Sequence, residues 1–418
     1  MKAALTDDAD VSRDREHRAA ADRVEAEELV RTAGRLRGGE AKVAQLRAYL
    51  ELEDGLDVSA REHLARLWDR VPPDPPAVIR RVVEEELGAP IAQRFASWED
   101  DPLAAASLGQ VHGATLADGT ELAVKVQYPG IAAALDEDLA SPAMLRRLIG
   151  PGLGEGAAST ALQTLRAAIS RELDYEAERK ALERFGRAFF NDPQIVLPRA
   201  YAGLSTKRVL TMSRLRGRPM LDVATSGTGA ERAAVALTLF RFAFGAPLRH
   251  GLVNGDPHPG NYLVLDAAAG RIGFVDFGFV VEVGEDLQAI DRRLFLSLVH
   301  RDGEALRYAA HEQGLVPKVG VFDHRAWRDF ERALGAPFMT RGARRFGPAE
   351  AGELSRLIRL LIQADSLELP AAAVVLWRQR MGAIAVMGSL AATFDLRRAL
   401  CELLDDGKHP TPLYERYR

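Results

Sequence analysis

The sequence predicts an α+β protein of two lobes that follows a helical extension. Short apolar runs typical of strands concentrate in the middle of the chain, whereas helical spacing of apolar residues dominates before and after them. We therefore divide the 418 residues into a polar tail (1–33), a helical extension (34–100), a lobe with a small sheet (101–215) and a mostly helical lobe with one hairpin (216–418).

The composition is typical of a globular protein in a reducing compartment. Hydrophobic residues make up 47% of the chain and charged residues 27%, and the net charge of −4 does not favour a nucleic-acid partner. The single cysteine, Cys401, forms neither an internal disulfide nor a zinc site by itself. The N-terminus is charged throughout, and the uncharged run Met381–Phe394 is shorter than the roughly 20 residues that cross a bilayer, so it indicates a buried helix. We expect a cytoplasmic protein, either soluble or peripheral to a membrane.

The extension and the first lobe have clear boundaries. A proline cluster at 72–76 interrupts the helical pattern, and Val78–Leu87 predicts a helix that ends at the following glycine. Strands are predicted at Ser107–Leu116 and Glu121–Gln127, because the Asp-Gly pair at 118–119 between them is typical of a β-hairpin.

The rest of the chain alternates between helices and a few short strands. Residues from about 160 to 190 predict a helix. Strands are predicted at Ile195–Pro198 and Val209–Met212, and Tyr262–Leu265 and Arg271–Val275 predict a second hairpin.

Two motifs in the second lobe carry the chemistry. Asp256 stands five residues before Asn261, and Asp276 begins an Asp-Phe-Gly sequence fifteen residues after Asn261. Kinase catalytic loops have an aspartate and an asparagine at this spacing, followed by Asp-Phe-Gly. Phosphoryl transfer requires an aligned acceptor and a metal that neutralises the phosphates, and magnesium prefers oxygen ligands. We predict that Asp256 is catalytic and that the other two residues bind magnesium; a plain Asp-Pro turn is the alternative for the loop alone.

Lys125 lies within an apolar strand, where a buried lysine is costly unless it is paired. In kinases such a lysine binds the nucleotide phosphates and pairs with a helix glutamate; an exposed strand face is the alternative. Glu172, Glu176 and Glu178 are candidate partners, but residues two apart do not share a helix face. The residues themselves leave the choice among the three open.

The glycine-rich loop of ordinary kinases is replaced by Ala-Ala-Ala-Ser-Leu-Gly-Gln-Val-His, which begins at Ala104. Alanine permits close approach of the backbone but disfavours positive φ far more than glycine does. We therefore expect a stiffer phosphate-binding loop over Ala104–Gln110.

The motifs AAASLGQVH, LAVKVQYPGI, ELDYEAE, NGDPHPGN and VDFG resemble, in order and spacing, those of the UbiB-type (AarF-like) atypical kinase family. The resemblance extends upstream to Leu36–Gln45, which is similar to the family's KxGQ helix, and covers about residues 34–395. It implies a protein-kinase-like fold, ATP and magnesium as cofactors, and contact with lipids or a membrane surface.

The resemblance also implies a role for each matching residue. The residues that would bind nucleotide are Ala104, Ala105, Ala106, Ser107, Lys125, Asn261 and Asp276. The residues that would act in catalysis are Asp256, Lys125 and Glu178, of which the glutamate would pair with the lysine. Asn261 and Asp276 would be the magnesium ligands.

Two further family motifs imply regulation. Glu172 and Asp174 correspond to the family's ExD pair, and Lys42 and Gln45 to its KxGQ motif. The KxGQ helix packs over the active site in this family, which would obstruct a protein substrate.

The chain departs from the family pattern at four positions. Ala44 replaces the KxGQ glycine, Asn254 replaces the usual histidine before the catalytic loop, and Gly255 stands where alanine is usual. Ser213 replaces a hinge-adjacent acid, so adenine contacts are expected to differ.

Three functions remain open at this point. The first is a phosphotransferase or ATPase in lipid or isoprenoid-quinone metabolism, and the second is a nucleotide-gated scaffold with little catalysis. The third is a small-molecule kinase of the aminoglycoside phosphotransferase type. The complete AAAS and ExD set disfavours the third, and intact Lys125, Asp256, Asn261 and Asp276 disfavour the second.

Overall fold

The computed structural model describes residues 73–105, 108–133, 170–315, 324–354, 370–405 and 413–416. It consists of two compact units: the first contains Met1–Glu176 and Tyr201–Ser213, and the second contains Ala177–Ala200 and Arg214–Arg418. The polar tail and the part of the extension before residue 73, including Lys42 and Gln45, lie outside the described residues.

Strands and helices alternate irregularly along the chain. The strands are β1 (Ser97–Ala105), β2 (Gly109–Thr115), β3 (Glu121–Gln127), β4 (Ile195–Val196), β5 (Val209–Ser213), β6 (Arg218–Pro219), β7 (Leu252–Asn254), β8 (Tyr262–Asp266), β9 (Arg271–Phe274), β10 (Val280–Glu282), β11 (Arg344–Phe346) and β12 (Ala392–Phe394). The α-helices are α1 (Pro76–Leu87), α2 (Ile91–Arg94), α3 (Tyr175–Ala188), α4 (Met220–Ser226), α5 (Gly229–His250), α6 (Glu285–His300), α7 (Gly303–Glu312), α8 (His324–Met339), α9 (Ala371–Leu390), α10 (Leu396–Leu404) and α11 (Leu413–Arg416). This mixture confirms the α+β class.

The first unit contains an antiparallel sheet in the order β1-β2-β3-β5, on which α1 packs. Ile79 and Val83 of α1 and Val124 of β3 are fully buried in the shared core. The hairpin of β2 and β3 is confirmed, and Gly119 in its turn has a φ of +82°. The first predicted helix is also confirmed, and it ends at Gly88 with a φ of +64°. Glycine adopts positive φ without a steric penalty, which explains both turns.

Strand β1 is not predicted by the sequence, and it corrects the expected alanine-rich loop. Ala104 and Ala105 lie in β1 and pair with β2, so the expectation that they belong to a loop is wrong. Ala106 and Ser107 lie outside the described residues. Strand β1 is a mostly exposed edge strand with register shifts on both sides of Pro102. Proline is tolerated at such edges and bulges, but it hides the alternation that indicates a strand.

The second unit contains the long and mostly buried helix α5. At its start, the Thr228 hydroxyl accepts the Glu231 N–H and the Glu231 carboxylate accepts the Thr228 N–H, which is a capping box. The helix ends at Gly251, with a φ of +63°. Pro247 lies inside its last turn. A proline has no N–H, so it cannot donate to the carbonyl of Ala243 four residues earlier.

The second predicted hairpin is confirmed as β8 and β9, and β4 pairs with β9 in parallel. Strands β7 and β10 form an antiparallel pair, as do β11 and β12. The rings of Phe242 on α5 and Phe274 on β9 stack with centroids 3.8 Å apart. Strand β9 is thereby held on α5, which positions the residues that follow it.

The uncharged run at Met381–Phe394 forms the C-terminal half of α9 and strand β12. Most of the α9 side chains are buried, so the expectation of a buried helix is confirmed. Within the described residues, no helix combines the length and the apolar character needed to cross a bilayer.

Candidate active site

The loop between β7 and β8 holds Asp256 and Asn261. The Asn261 Nδ2 group donates to the Asp256 Oδ2 atom at 2.9 Å and to the Asp256 carbonyl at 3.3 Å. The carbonyl of Asn261 accepts the Val275 N–H at 3.1 Å, which links this loop to the end of β9. Because the amide nitrogen of Asn261 faces Asp256, its Oδ1 atom is turned away and can act as a ligand.

The Asp-Phe-Gly segment follows β9 along the chain. The Gly278 N–H donates to Asp276 Oδ1 at 3.0 Å. The Phe277 side chain is 1% exposed, and its ring lies 4.9 Å from the ring of Phe185 on α3. The buried ring anchors the segment, and the hydrogen bond orients the carboxylate of Asp276.

Of the three candidate glutamates, Glu178 is the buried one. Helix α3 begins at Tyr175, so that Glu176 is exposed and Glu178 is only 3% exposed. Glu178 Oε1 accepts the Phe277 N–H at 3.4 Å, so the glutamate contacts the Asp-Phe-Gly segment. Lys125 belongs to the first unit, and its pairing with Glu178 stays a prediction.

Asn254 connects the loop that holds Asp256 to the Asp-Phe-Gly segment, a role that its position in the sequence does not reveal. Its Nδ2 group donates to the Asp276 carbonyl at 2.8 Å, and its Oδ1 atom accepts the Asp256 N–H at 3.1 Å. The available signal is a polar residue at the end of an apolar strand, at a position where the family usually has histidine. A buried amide of this kind, which is 3% exposed, normally makes hydrogen bonds.

Lys125 of β3 is 9% exposed, so the alternative of an exposed strand face is wrong. Its Nζ lies 5.0 Å from the centroid of the Tyr175 ring, a cation–π contact. The Tyr175 hydroxyl limits the space at Gly109, where a Cβ atom would lie 3.0 Å from it and 2.2 Å from the Val126 carbonyl oxygen. The lysine is thus held in a tightly packed part of the sheet, and phosphate binding stays its predicted role.

The segment with Glu172 and Asp174 is attached to the sheet of the first unit. Gln127 of β3 donates through Nε2 to the Leu173 carbonyl at 2.8 Å and to the Lys207 carbonyl at 3.2 Å. Both acids of the pair are half-buried. Their regulatory role stays a prediction.

Tyr262 lies directly after Asn261 and is fully enclosed. Burial, followed by the negative charge of Asp256, raises the pKa of the Tyr262 hydroxyl. The phenol therefore stays neutral. In the middle of the loop, His258 Nδ1 accepts the Gly260 N–H at 3.1 Å. This bond fixes the orientation of the His258 ring.

The chain is similar to several known proteins. The profile of the ABC1 atypical kinase-like domain matches residues 66–310. The mitochondrial atypical kinase COQ8B of Rattus norvegicus is 31% identical over 394 residues, which cover 92% of this chain and 72% of that protein. The probable protein kinase UbiB of Marinobacter nauticus is 32% identical over 262 residues, or 61% of this chain. This match spans about half (48%) of the length of that relative.

A solved structure is also similar over most of the chain. It is the complex of Rv3197 with erythromycin from Mycobacterium tuberculosis, with a TM-score of 0.66 and 26% identity. The similarity covers 95% of this chain and 100% of that one. Together, these matches confirm the kinase-like fold expected from the sequence.

Proposed function

The chain belongs to the ABC1 atypical kinase-like family, and from this premise we propose that it binds ATP with magnesium and transfers the terminal phosphoryl group. The observation that carries the proposal is the hydrogen-bonded group of Asp256, Asn261 and Asp276, which Asn254 ties together. Phosphoryl transfer depends on positioning and charge neutralisation more than on covalent chemistry. This group would position the reacting hydroxyl or water and hold the magnesium that neutralises the phosphate charge.

The side chains of Asn261 and Asp276 fit magnesium, which favours carboxylate and amide oxygens. The Nδ2 group of Asn261 is engaged by Asp256, so Oδ1 is the atom that would bind the metal. Magnesium bound there with ATP would supply neutralisation of the phosphate charge.

Two further residues have defined roles in this proposal. The carboxylate of Asp256 orients the attacking hydroxyl or water and accepts its proton. Lys125 binds the phosphates, the role that the resemblance to the UbiB-type family implies for this lysine. The presence of all four site residues favours catalysis over a purely scaffolding role; they are Lys125, Asp256, Asn261 and Asp276.

The resemblance to the UbiB-type family supports a place in lipid or isoprenoid-quinone metabolism. The acceptor would then be a small molecule or water. Contact with lipid would be peripheral, through an amphipathic surface.

The metal assignment is tested with Asp276→Asn. We expect the affinity for ATP in magnesium to fall by about tenfold or more, or about 1.4 kcal/mol, because a charged ligand is replaced by a neutral one. Calorimetric titration with magnesium and with a chelator measures it. Asp286→Asn, an exposed carboxylate at the start of α6, is the matched control. Equal binding by the unmodified protein in magnesium and in chelator would contradict the assignment.

A further inference from the structure

One face of α9 lies against the loop between β7 and β8 (255–261), which we call the catalytic loop. Val375, Gln379 and Gly382 are spaced by four and three residues, which places them on the same side of the helix. A Cβ atom on Gly255 would lie 2.8 Å from Val375 Cγ1, and one on Gly382 would lie 2.1 Å from Pro257 Cγ. This face therefore fits closely around the loop and has no room for larger side chains.

Gln379 is the polar residue in the middle of this face, and it is 2% exposed. Its Oε1 atom accepts the N–H of Asn254. Its Nε2 group donates to the carbonyl of Ala243 on α5 at 2.6 Å. That carbonyl cannot receive the usual helical hydrogen bond, because Pro247 stands four residues later. The glutamine thus fills a donor position that the proline leaves vacant, and this fixes its amide.

We infer that Gln379 is a positioning residue of the catalytic loop. It holds the backbone of Asn254, whose side chain holds the N–H of Asp256 and the carbonyl of Asp276. The backbone of Asp256, the proposed general base, therefore depends through Asn254 on an amide of α9. The residue lies outside the range 66–310 matched by the kinase-like domain, and its assignment rests on the proposed function.

A second buried glutamine provides a matched control. Gln313 is 0% exposed and also makes two side-chain hydrogen bonds, one to Asp291 Oδ1 and one from Trp377 Nε1, both at 3.0 Å. Neither bond involves the catalytic loop. Replacing either glutamine with methionine removes an amide of equal size, so a general loss of packing affects both variants alike.

The first measurement is steady-state hydrolysis of ATP in magnesium. We expect Gln379→Met to lower kcat by about tenfold or more, equivalent to about 1.4 kcal/mol, because the general base is displaced. The KM for ATP changes by less than about threefold, or roughly 0.7 kcal/mol. Gln313→Met keeps kcat within the same threefold range at a temperature where it is folded. Gln379→Asn, which is too short to bridge Ala243 and Asn254, replaces the methionine variant if that variant does not fold.

The second measurement does not depend on activity. Hydrogen exchange of the backbone amides at 252–256 should accelerate in Gln379→Met and stay unchanged in Gln313→Met. Equal losses of kcat in the two variants would overturn the inference and leave only a structural role. Unchanged exchange at 252–256 in Gln379→Met would also overturn it. If the unmodified protein hydrolyses no ATP, the proposed hydrolysis fails, and the exchange result alone decides the inference.

Discussion

Replacing Asp256 with asparagine is expected to lower ATP turnover by about a hundredfold or more, the usual effect of losing a general base. Affinity for ATP in magnesium should stay within about threefold, or roughly 0.7 kcal/mol. Asparagine preserves the shape of the side chain, and its carbonyl oxygen can still accept the bond from Asn261 Nδ2. The backbone N–H at 256 remains held by Asn254. The substitution therefore removes the proton acceptor and leaves the loop in place.

The effect is measured by steady-state release of ADP together with calorimetric binding of ATP. Asp266→Asn is the control, because Asp266 is an exposed aspartate of the same unit whose carboxylate accepts the Ala269 N–H. Full turnover by Asp256→Asn would exclude this residue as the base. If the unmodified protein bound ATP without turning it over, the scaffold would become the better description.

The second large effect concerns stability. Replacing Asp291 with alanine is expected to lower the free energy of unfolding by about 3–5 kcal/mol, because it leaves a buried charge without its partner. Asp291 accepts from both terminal nitrogens of Arg380, at 2.7 and 2.5 Å, and both side chains are at most 1% exposed. The guanidinium also lies 4.7 Å from the centroid of the Phe295 ring. Without Asp291, the guanidinium would remain in these apolar surroundings.

Urea denaturation measures this loss, and the double variant Asp291→Leu with Arg380→Met supplies the comparison. Replacing both members of a buried ion pair with apolar residues of similar volume is often neutral or stabilising. We expect the double variant to recover most of the stability that the single variant loses. Equal destabilisation of both variants would show that the unpaired charge is not the source.

The sequence correctly predicts the elements whose ends are determined by residues close in the chain. The turn at Gly119 and the helix end at Gly88 depend on residues directly next to them, and both predictions are confirmed. Strand β1 cannot be predicted in this way, because Pro102 and the neighbouring acidic residues do not alternate with apolar ones. Strands β7 and β10 have three residues each, which is too few to show a period.

In the candidate site, too, some residues can be predicted from local sequence and others only from the fold. Asp256, Asn261 and Asp276 are predicted from their spacing, and hydrogen bonds, in part through Asn254, connect all three. Local spacing does not distinguish Glu178 from its neighbours; the resemblance to the family points to it, and its burial, which depends on where α3 begins, agrees with that choice. Gln379 lies 125 residues from Asn254, and no local pattern connects them. A contact at this sequence separation depends on how α9 packs, and that packing cannot be inferred from local sequence patterns.

Because Gln379 donates to the Ala243 carbonyl, the residue required at position 379 depends on the proline at position 247. With Pro247 present, loss of the glutamine leaves a buried carbonyl without a donor. If an ordinary residue stood at 247, the helix would supply that donor itself, and position 379 would need only to accept the Asn254 N–H. Across relatives that have proline at 247, we therefore expect an amide donor at 379. An alignment in which proline at 247 often occurs without an amide donor at 379 would contradict this dependence.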